Sequence, residues 1–311
     1  LSGSNNTNFF TYNEPYTGTD PYGYWNYYTT SGSPLEVGMG YAHYPESNRT
    51  YTLTGGTFND GAITEPVQNS NNGGNANGWN LIGNPYPSAI DADKFINANS
   101  SSINGTLYFW DDDNTNGTDY ASDDYATYTL AGWTSGGGGT TGQNSSISAG
   151  QSFMVYTGAN TSVEFTNSMR TNAAATFFKE QEQDEFKRLK LDLVNAGNYF
   201  NQILIAFNEN ASPYVDLYDG SKNFGAGNFG FYSLIADKAY AIQALPFQQD
   251  STLVQLGFTN NTSGEHTISL SQLSNFHQEV AIYLIDKTEN KVIDLRKENS
   301  YTFTAGAGTF N

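Results

Sequence analysis

The chain has 311 residues, with 13 basic and 31 acidic side chains and a formal charge of −18. That balance repels nucleic-acid phosphates and anionic lipid headgroups. Cysteine is absent, which excludes disulfides, thiolate chemistry and cysteine-bound zinc or iron–sulfur centres, and three histidines are too few for a histidine-rich metal centre. Aromatics at 15% argue against disorder. Together with 32 Gly and abundant Asn, Thr and Ser, they predict an all-β protein: tandem β-sandwich (jelly-roll-like) domains with long loops and very few helices. No apolar run is long enough to span a bilayer as a helix. The chain opens at Leu1 with neither Met nor a signal-peptide pattern, which reads as a segment of a longer polypeptide, and its composition suits a bacterial cell exterior.

The predicted elements begin with an aromatic strand, Phe9–Tyr12, that runs into a polar loop at Asn13-Glu14. A Tyr-rich strand follows at Tyr24–Thr29. Then comes Leu35-Glu36-Val37-Gly38-Met39-Gly40-Tyr41-Ala42-His43-Tyr44, a glycine turn entering an aromatic strand. The same sequence of features returns later. Leu107–Trp110 enters a polar loop at Asp111-Asp112, Tyr125–Leu130 is the second strand, and Ile147–Tyr156 aligns with Leu35–Tyr44 at an offset of 147 − 35 = 112. The alignment continues without a gap, Leu53-Thr54 falling on Phe165-Thr166. Two related β-units, about 9–59 and 107–168, are therefore expected within one sandwich. Two copies are too few for a solenoid.

Between the copies, Trp79–Ile82 reads as a strand and Gly83-Asn84-Pro85 as a turn, with Ser88 as the N-cap of a short helix over Asp91–Asn97. Asn69–Asn77 and Ser135–Asn144 read as exposed, mobile loops. Residues 1–168 carry two basic and 15 acidic side chains, and residues 169–311 carry 11 and 16. The change falls at Met169–Glu185, so the expected domains are 1–172 and 173–311. The second contains short strands about ten residues apart, as in a sandwich or jelly roll. These are Leu189–Val194 paired with Gln202–Phe207, then Phe229–Leu234, Ala239–Ala244, Thr252–Thr259, His266–Leu270, Val280–Asp286, Val292–Leu295 and Ser300–Thr304.

Gly78-Trp79-Asn80-Leu81-Ile82-Gly83-Asn84-Pro85-Tyr86-Pro87-Ser88 resembles a signature of large secreted surface proteins of Bacteroidota. There it stands in the segment before a C-terminal type IX secretion sorting domain. Gly38–Tyr41, Ala206–Ala211, Tyr283–Lys287 and Tyr301–Ala305 resemble other strands of the same segment. The resemblance covers nearly the whole chain. It implies export to the outer surface or the extracellular space by the type IX machinery, through a sorting domain beyond Gly308–Asn311. It also implies roles such as adhesion, gliding or polysaccharide contact. Its motifs specify no chemistry.

The sharpest chemical candidate is Asp112-Asp113-Asn114-Thr115-Asn116-Gly117 with Asp123. It follows the spacing of a calcium loop with Asp in place of the final Glu. Asp112, Asn114, Asn116 and Asp123 would supply oxygens to Ca²⁺ and Gly117 the sharp bend. The alternative is an acidic, solvated hairpin tip. Asn208-Glu209-Asn210 with Asp216–Gly220 forms a weaker cluster that turn formation explains equally well. Asp91/Asp93 and Asp111–Asp113 are the available carboxylate pairs for glycoside hydrolysis, and nothing prefers either. Nucleophile, zinc-protease and phosphate-loop motifs are missing. His43, opposite Val155 in the repeat, reads as a half-exposed strand position.

The Tyr/Trp stretches Tyr16–Tyr28 and Trp110–Trp133 suit either sugar stacking or cross-strand packing. Asp250-Ser251-Thr252 resembles an O-glycosylation acceptor of Bacteroidota. The expectation is a non-catalytic structural or adhesive module. The alternative is a carbohydrate-binding module of a secreted polysaccharide-acting protein. Partners would be glycans or other surface proteins.

Overall fold

The computed structural model describes residues 9–18, 23–28, 35–43, 56–73, 77–111, 125–137, 145–171, 186–225, 229–247 and 251–311. They are nearly all β. In chain order the strands are β1 Phe9–Tyr12, β2 Trp25–Tyr27, β3 Ala42–His43, β4 Ile63–Val67, β5 Trp79–Gly83, β6 Ala89–Asp91, β7 Leu107–Trp110, β8 Tyr125–Thr129, β9 Gly132–Thr134, β10 Ser146–Ile147, β11 Ser152–Tyr156 and β12 Thr161–Phe165. They continue with β13 Arg170–Thr171, β14 Lys187–Asn195, β15 Phe200–Phe207, β16 Gly220–Ser221, β17 Gly230–Ile235, β18 Lys238–Leu245, β19 Leu256–Asn260, β20 Gly264–Ser274, β21 Tyr283–Asp286, β22 Lys291–Asp294, β23 Ser300–Ala305 and β24 Gly308–Phe310. Among the described residues one α-helix is present, α1 Ala92–Ala98.

The chain divides into two compact units. The first is Leu1–Phe109 with Asn144–Glu180, and the second is Trp110–Gln143 with Gln181–Asn311. Residues 110–143 thus belong to the second unit.

In the first unit β1 lies between β2 and β3, β11 between β5 and β7, and β6 between β10 and β13, while β12 pairs with β4. The two sequence-related stretches pair alike. Phe9 and Phe10 face His43 and Ala42 across β1 and β3, and Leu107 and Tyr108 face Val155 and Met154 across β7 and β11. Adding the offset of 112 turns Ala42 and His43 into Met154 and Val155. Strand β5 serves both, pairing Ile82 with Phe153 in β11 and bridging Ile82 to Met39. The core is aromatic. Phe95 of α1 stacks on Phe165 at 5.0 Å and meets Phe153 edge-on at 5.4 Å.

Helix α1 begins one residue later than expected and has a different cap. Asp91, not Ser88, accepts from the backbone N–H of Asp93 and Lys94, because strand β6 intervenes between Ser88 and the helix. Ser88 instead takes the Nε–H of Arg170 on its Oγ.

In the second unit one curled, half-barrel sheet runs β23-β20-β14-β15-β18-β17-β19-β24, with β16 beside β18. Strict alternation in β14 sends Leu191 and Leu193 to a core with Ile203, Ile205, Phe231, Ile268 and Tyr301. The β14–β15 pair is close to the expected one. Its turn is held by Asn195, whose Oδ1 accepts from Gly197 and Tyr199 N–H, and by Asn198 at φ 63°. The β15–β18 pair is parallel, with Leu204 opposite Ile242. Its long crossover contains the 208–219 loop, β16 and β17. The second face of β15 and β18 holds Leu204, Ala206, Ile242 and Ala244, packed with Ala131 from the β8–β9 hairpin.

Candidate functional site

The 78–88 segment is a junction assembled from backbone bonds. Gly78 sits at φ 77°, where a side chain would be strained and a Cβ would run into the Thr157 carbonyl. Asn80 binds the Gln68 backbone twice, accepting from its N–H and donating to its carbonyl. Asn84 is buried. Its Nδ2 donates to the carbonyls of Ser88, Ile147 and Ser148, and its Oδ1 accepts from Tyr86 N–H. The Tyr86 hydroxyl reaches the Gly61 carbonyl at 2.6 Å, and the Arg170 guanidinium lies over its ring at 5.4 Å. The side chains of this stretch are thus spent on positioning strands.

Asp112, Asn114, Asn116 and Asp123 lie outside the described residues, as does the 172/173 boundary. Of the acidic loop's flanks, Asp111 is buried and Trp110 meets Tyr125 edge-on at 5.2 Å, so the two strand ends already touch through their rings.

The weaker cluster is a set of turns. Asn208 Oδ1 accepts from Asn210 N–H, and Asp216 accepts from Ser212 and Tyr218 N–H. Asp219 accepts from Asp216 and Ala244 N–H. Burial pushes the Asp219 carboxyl up to about 7, against the pull of those two amides. Asp91 is occupied as the cap of α1.

His43 is half-buried, with its ring 4.3 Å from that of Phe9. His266 is buried between Phe258 and Phe303, its Nδ1 3.0 Å from the Gly264 carbonyl, and burial holds its pKa below the ordinary value.

Three charged groups stand out that the sequence does not reveal. Glu14 is 4% exposed, and its Oε1 accepts from Ser70 and Gly78 N–H at 2.8 Å each. It anchors Ser70 and Gly78, and Asn69, Asn72 and Asn77 beside them make further bonds, to the Thr157 carbonyl, the Pro15 carbonyl and the Ser70 hydroxyl. Glu65 on β4 has its carboxyl raised to about 7, first by burial and then by the neighbouring Glu36. Its side chain covers Gly38, and a Cβ there would come within 2.8 Å of Glu65 Oε2. Lys190 is 3% exposed, with its Nζ 3.1 Å from the centroid of the Trp133 ring. Burial lowers its pKa to about 7, partly offset by Asp192. Asp192 accepts from Gln202 Nε2 and Ser271 Oγ, and Gln202 accepts from Ser135 N–H.

The remaining candidate is the sheet of β1 and β2. Register places Phe10 opposite Tyr27 and Tyr12 opposite Trp25. Alternation then puts all four rings on one face. The first pair is tilted at 4.7 Å and the second edge-on at 5.2 Å. Tyr27 is 66% exposed and the other three are half-buried. Next to them Tyr24 meets Tyr16 edge-on at 5.3 Å, and the Tyr16 ring fills the space that a Cβ at Gly18 or Gly23 would need. Tyr12 is held protonated above the usual tyrosine range by burial, with Tyr24 and Glu14 adding to the effect.

A family model described as a domain of unknown function (DUF8693) matches residues 1–311. No curated protein and no solved structure matches the chain.

Proposed function

The chain belongs to the DUF8693 family over its whole length, and we propose that it is a non-catalytic structural or adhesive module of a large bacterial surface protein exported by the type IX system. The reading joins the resemblance of its Gly78–Ser88 segment to Bacteroidota surface proteins with one structural observation. Three buried polar side chains act as backbone staples: Asn84 across four groups, Glu14 across two amides, and Asp219 across two more. Such staples suit a rigid extracellular spacer that must hold its shape without disulfides. The acidic loop at Asp112–Asp123 is part of the same proposal, as a Ca²⁺ site that stiffens a connection. One observation favours a second reading, a carbohydrate-binding module: the four aromatic rings on one face of β1 and β2.

The test is antibody labelling of intact cells of the encoding bacterium. Labelling, lost on treating whole cells with external protease, is expected, and detection only in lysed cells would overturn the reading. The non-catalytic part is tested at the Glu36/Glu65 pair, where a raised carboxyl stands beside a second one, as an acid catalyst would. Purified chain should release no reducing ends from common polysaccharides. Turnover abolished by Glu65→Gln would show an enzyme.

A further inference from the structure

We infer that Lys222 and Asn201 form an intramolecular cross-link, an amide bond between Lys222 Nζ and Asn201 Cγ. Asn201 is the second residue of β15 and is 2% exposed. Lys222 directly follows β16 and is half-buried. The topology brings the two together. Leu204 of β15 and Gly220 of β16 both stand opposite Ile242 of β18, the first in a parallel pair and the second in an antiparallel one. Counting back from Leu204 to Asn201 in a parallel pair leads to the level of Ala239. Counting on from Gly220 to Lys222 leads to the same residue, since the Lys222 N–H donates to the Ala239 carbonyl at 2.9 Å. The Lys222 side chain then donates from Nζ to Asn201 Oδ1.

The amide under that amine is anchored at both atoms. Its Oδ1 also accepts from Phe231 N–H at 3.0 Å, and its Nδ2 donates to the Phe200 carbonyl at 2.8 Å. The group therefore keeps its orientation toward the amine, and the Phe231 N–H stands where charge would gather on the oxygen during attack.

The reaction needs no co-reactant. The ammonium gives one proton to water, and the electron pair freed on Nζ attacks Asn201 Cγ. Negative charge moves onto Oδ1 and is met by the Phe231 N–H. A second proton passes from Nζ to Nδ2, the Cγ–Nδ2 bond breaks, the carbonyl re-forms and ammonia leaves, to take up the proton released at the start. Free lysine is almost wholly protonated at pH 7, so the step is slow. Two features offset this. A held pair reacts as though one partner were present at roughly 10⁵–10⁸ M when its geometry is well aligned. The bond also has to form only once in the life of each molecule.

The cross-link closes a loop of 21 positions that contains the 208–219 turns, and it fixes the end of β16 to β15. In a chain without cysteine it constrains the unfolded state as a disulfide does elsewhere. It is a property of the chain alone, whatever surface the module serves.

The test is the intact mass of the purified whole chain, fresh and after incubation at mildly alkaline pH, which frees the amine. The incubated chain is expected to be lighter than its sequence by one ammonia. Trypsin should then cut after Lys190 and Lys238 but not after Lys222, and the resulting 191–238 peptide should give no fragments ending between 202 and 221. Lys222→Arg keeps the charge and a donor but carries no amine, so it should retain its full mass. Full mass in the incubated wild-type chain would overturn the inference. So would cleavage after Lys222 in the lighter species, which is the mark of a succinimide at Asn201, or the same ammonia loss in Lys222→Arg. The wild-type mass and peptide map decide the matter even where the variant folds poorly.

Discussion

Asn84 spreads one side chain over four backbone groups of two segments: Tyr86 with Ser88, and Ile147 with Ser148. Asn84→Ala would remove these four bonds, two of them buried, those to the Ile147 carbonyl and from the Tyr86 N–H. The expected loss is about 3 kcal/mol, read as an earlier midpoint in urea unfolding. Lys190 gives a prediction with a sign. Its native pKa near 7 lies below the ordinary lysine value of 10.5, so between those limits the unfolded chain binds more protons. Stability therefore rises with pH over that window. Lys190→Met should flatten the rise between pH 7 and 9.5 in melting experiments, and an unchanged slope would assign it to other groups. The sequence hides this residue. In Leu189-Lys190-Leu191-Asp192-Leu193 the alternation places Lys190 on a polar face, and polar faces normally meet water. Here Trp133, 57 positions upstream, covers it. No spacing rule links the two.

Strands were far more legible than their partners. The β14–β15 hairpin and strands β17, β18 and β20 were readable from alternation and turn residues, because these signals are local. The parallel contact of β15 with β18 was not, since it follows a crossover whose loop reads as a plain polar turn. The cap of α1 was misplaced for a similar reason. Ser88 and Asp91 are both good caps, and only the short pairings of β6 with β10 and β13 decide between them. The two related stretches share a pairing, Ala42 and His43 standing opposite Phe10 and Phe9 as Met154 and Val155 stand opposite Tyr108 and Leu107.

The acidic connection between β7 and β8 carries its own expectation. If Asp112, Asn114, Asn116 and Asp123 hold Ca²⁺, EDTA should lower the melting temperature and excess Ca²⁺ restore it. Extracellular sites of this type bind at roughly 10⁻⁴–10⁻³ M, and a hundredfold excess of ligand over its dissociation constant stabilises by about 2.7 kcal/mol. Asp112→Ala should abolish the difference. Identical melting curves with and without EDTA would leave an acidic hairpin tip.

At the scale of the molecule, the two units are not successive lengths of chain. Residues 110–143 leave the first half to join the second unit, where Ala131 packs with Leu204, Ala206, Ile242 and Ala244 and where the Ala131 carbonyl accepts from Arg188 Nε. A fragment cut at the charge boundary and containing only residues 181–311 would expose that apolar face. It should bind a hydrophobic dye and aggregate, whereas the whole chain should do neither. A soluble, dye-silent fragment with native-like near-UV dichroism would show that the hairpin is dispensable.

The same interleaving bears on what a single cut does to the chain. The chain passes from one unit to the other three times, at 109/110, 143/144 and 180/181. A protease that cuts once between residues 137 and 145 makes two pieces, and each piece still owns part of both units: 1–109 and 110–137 on one side of the cut, 145–180 and 181–311 on the other. Neither piece contains a whole unit, so a nick need not become a loss. In a chain without a single disulfide to hold cut ends together, this interleaved connectivity would do the retaining that cross-links otherwise do.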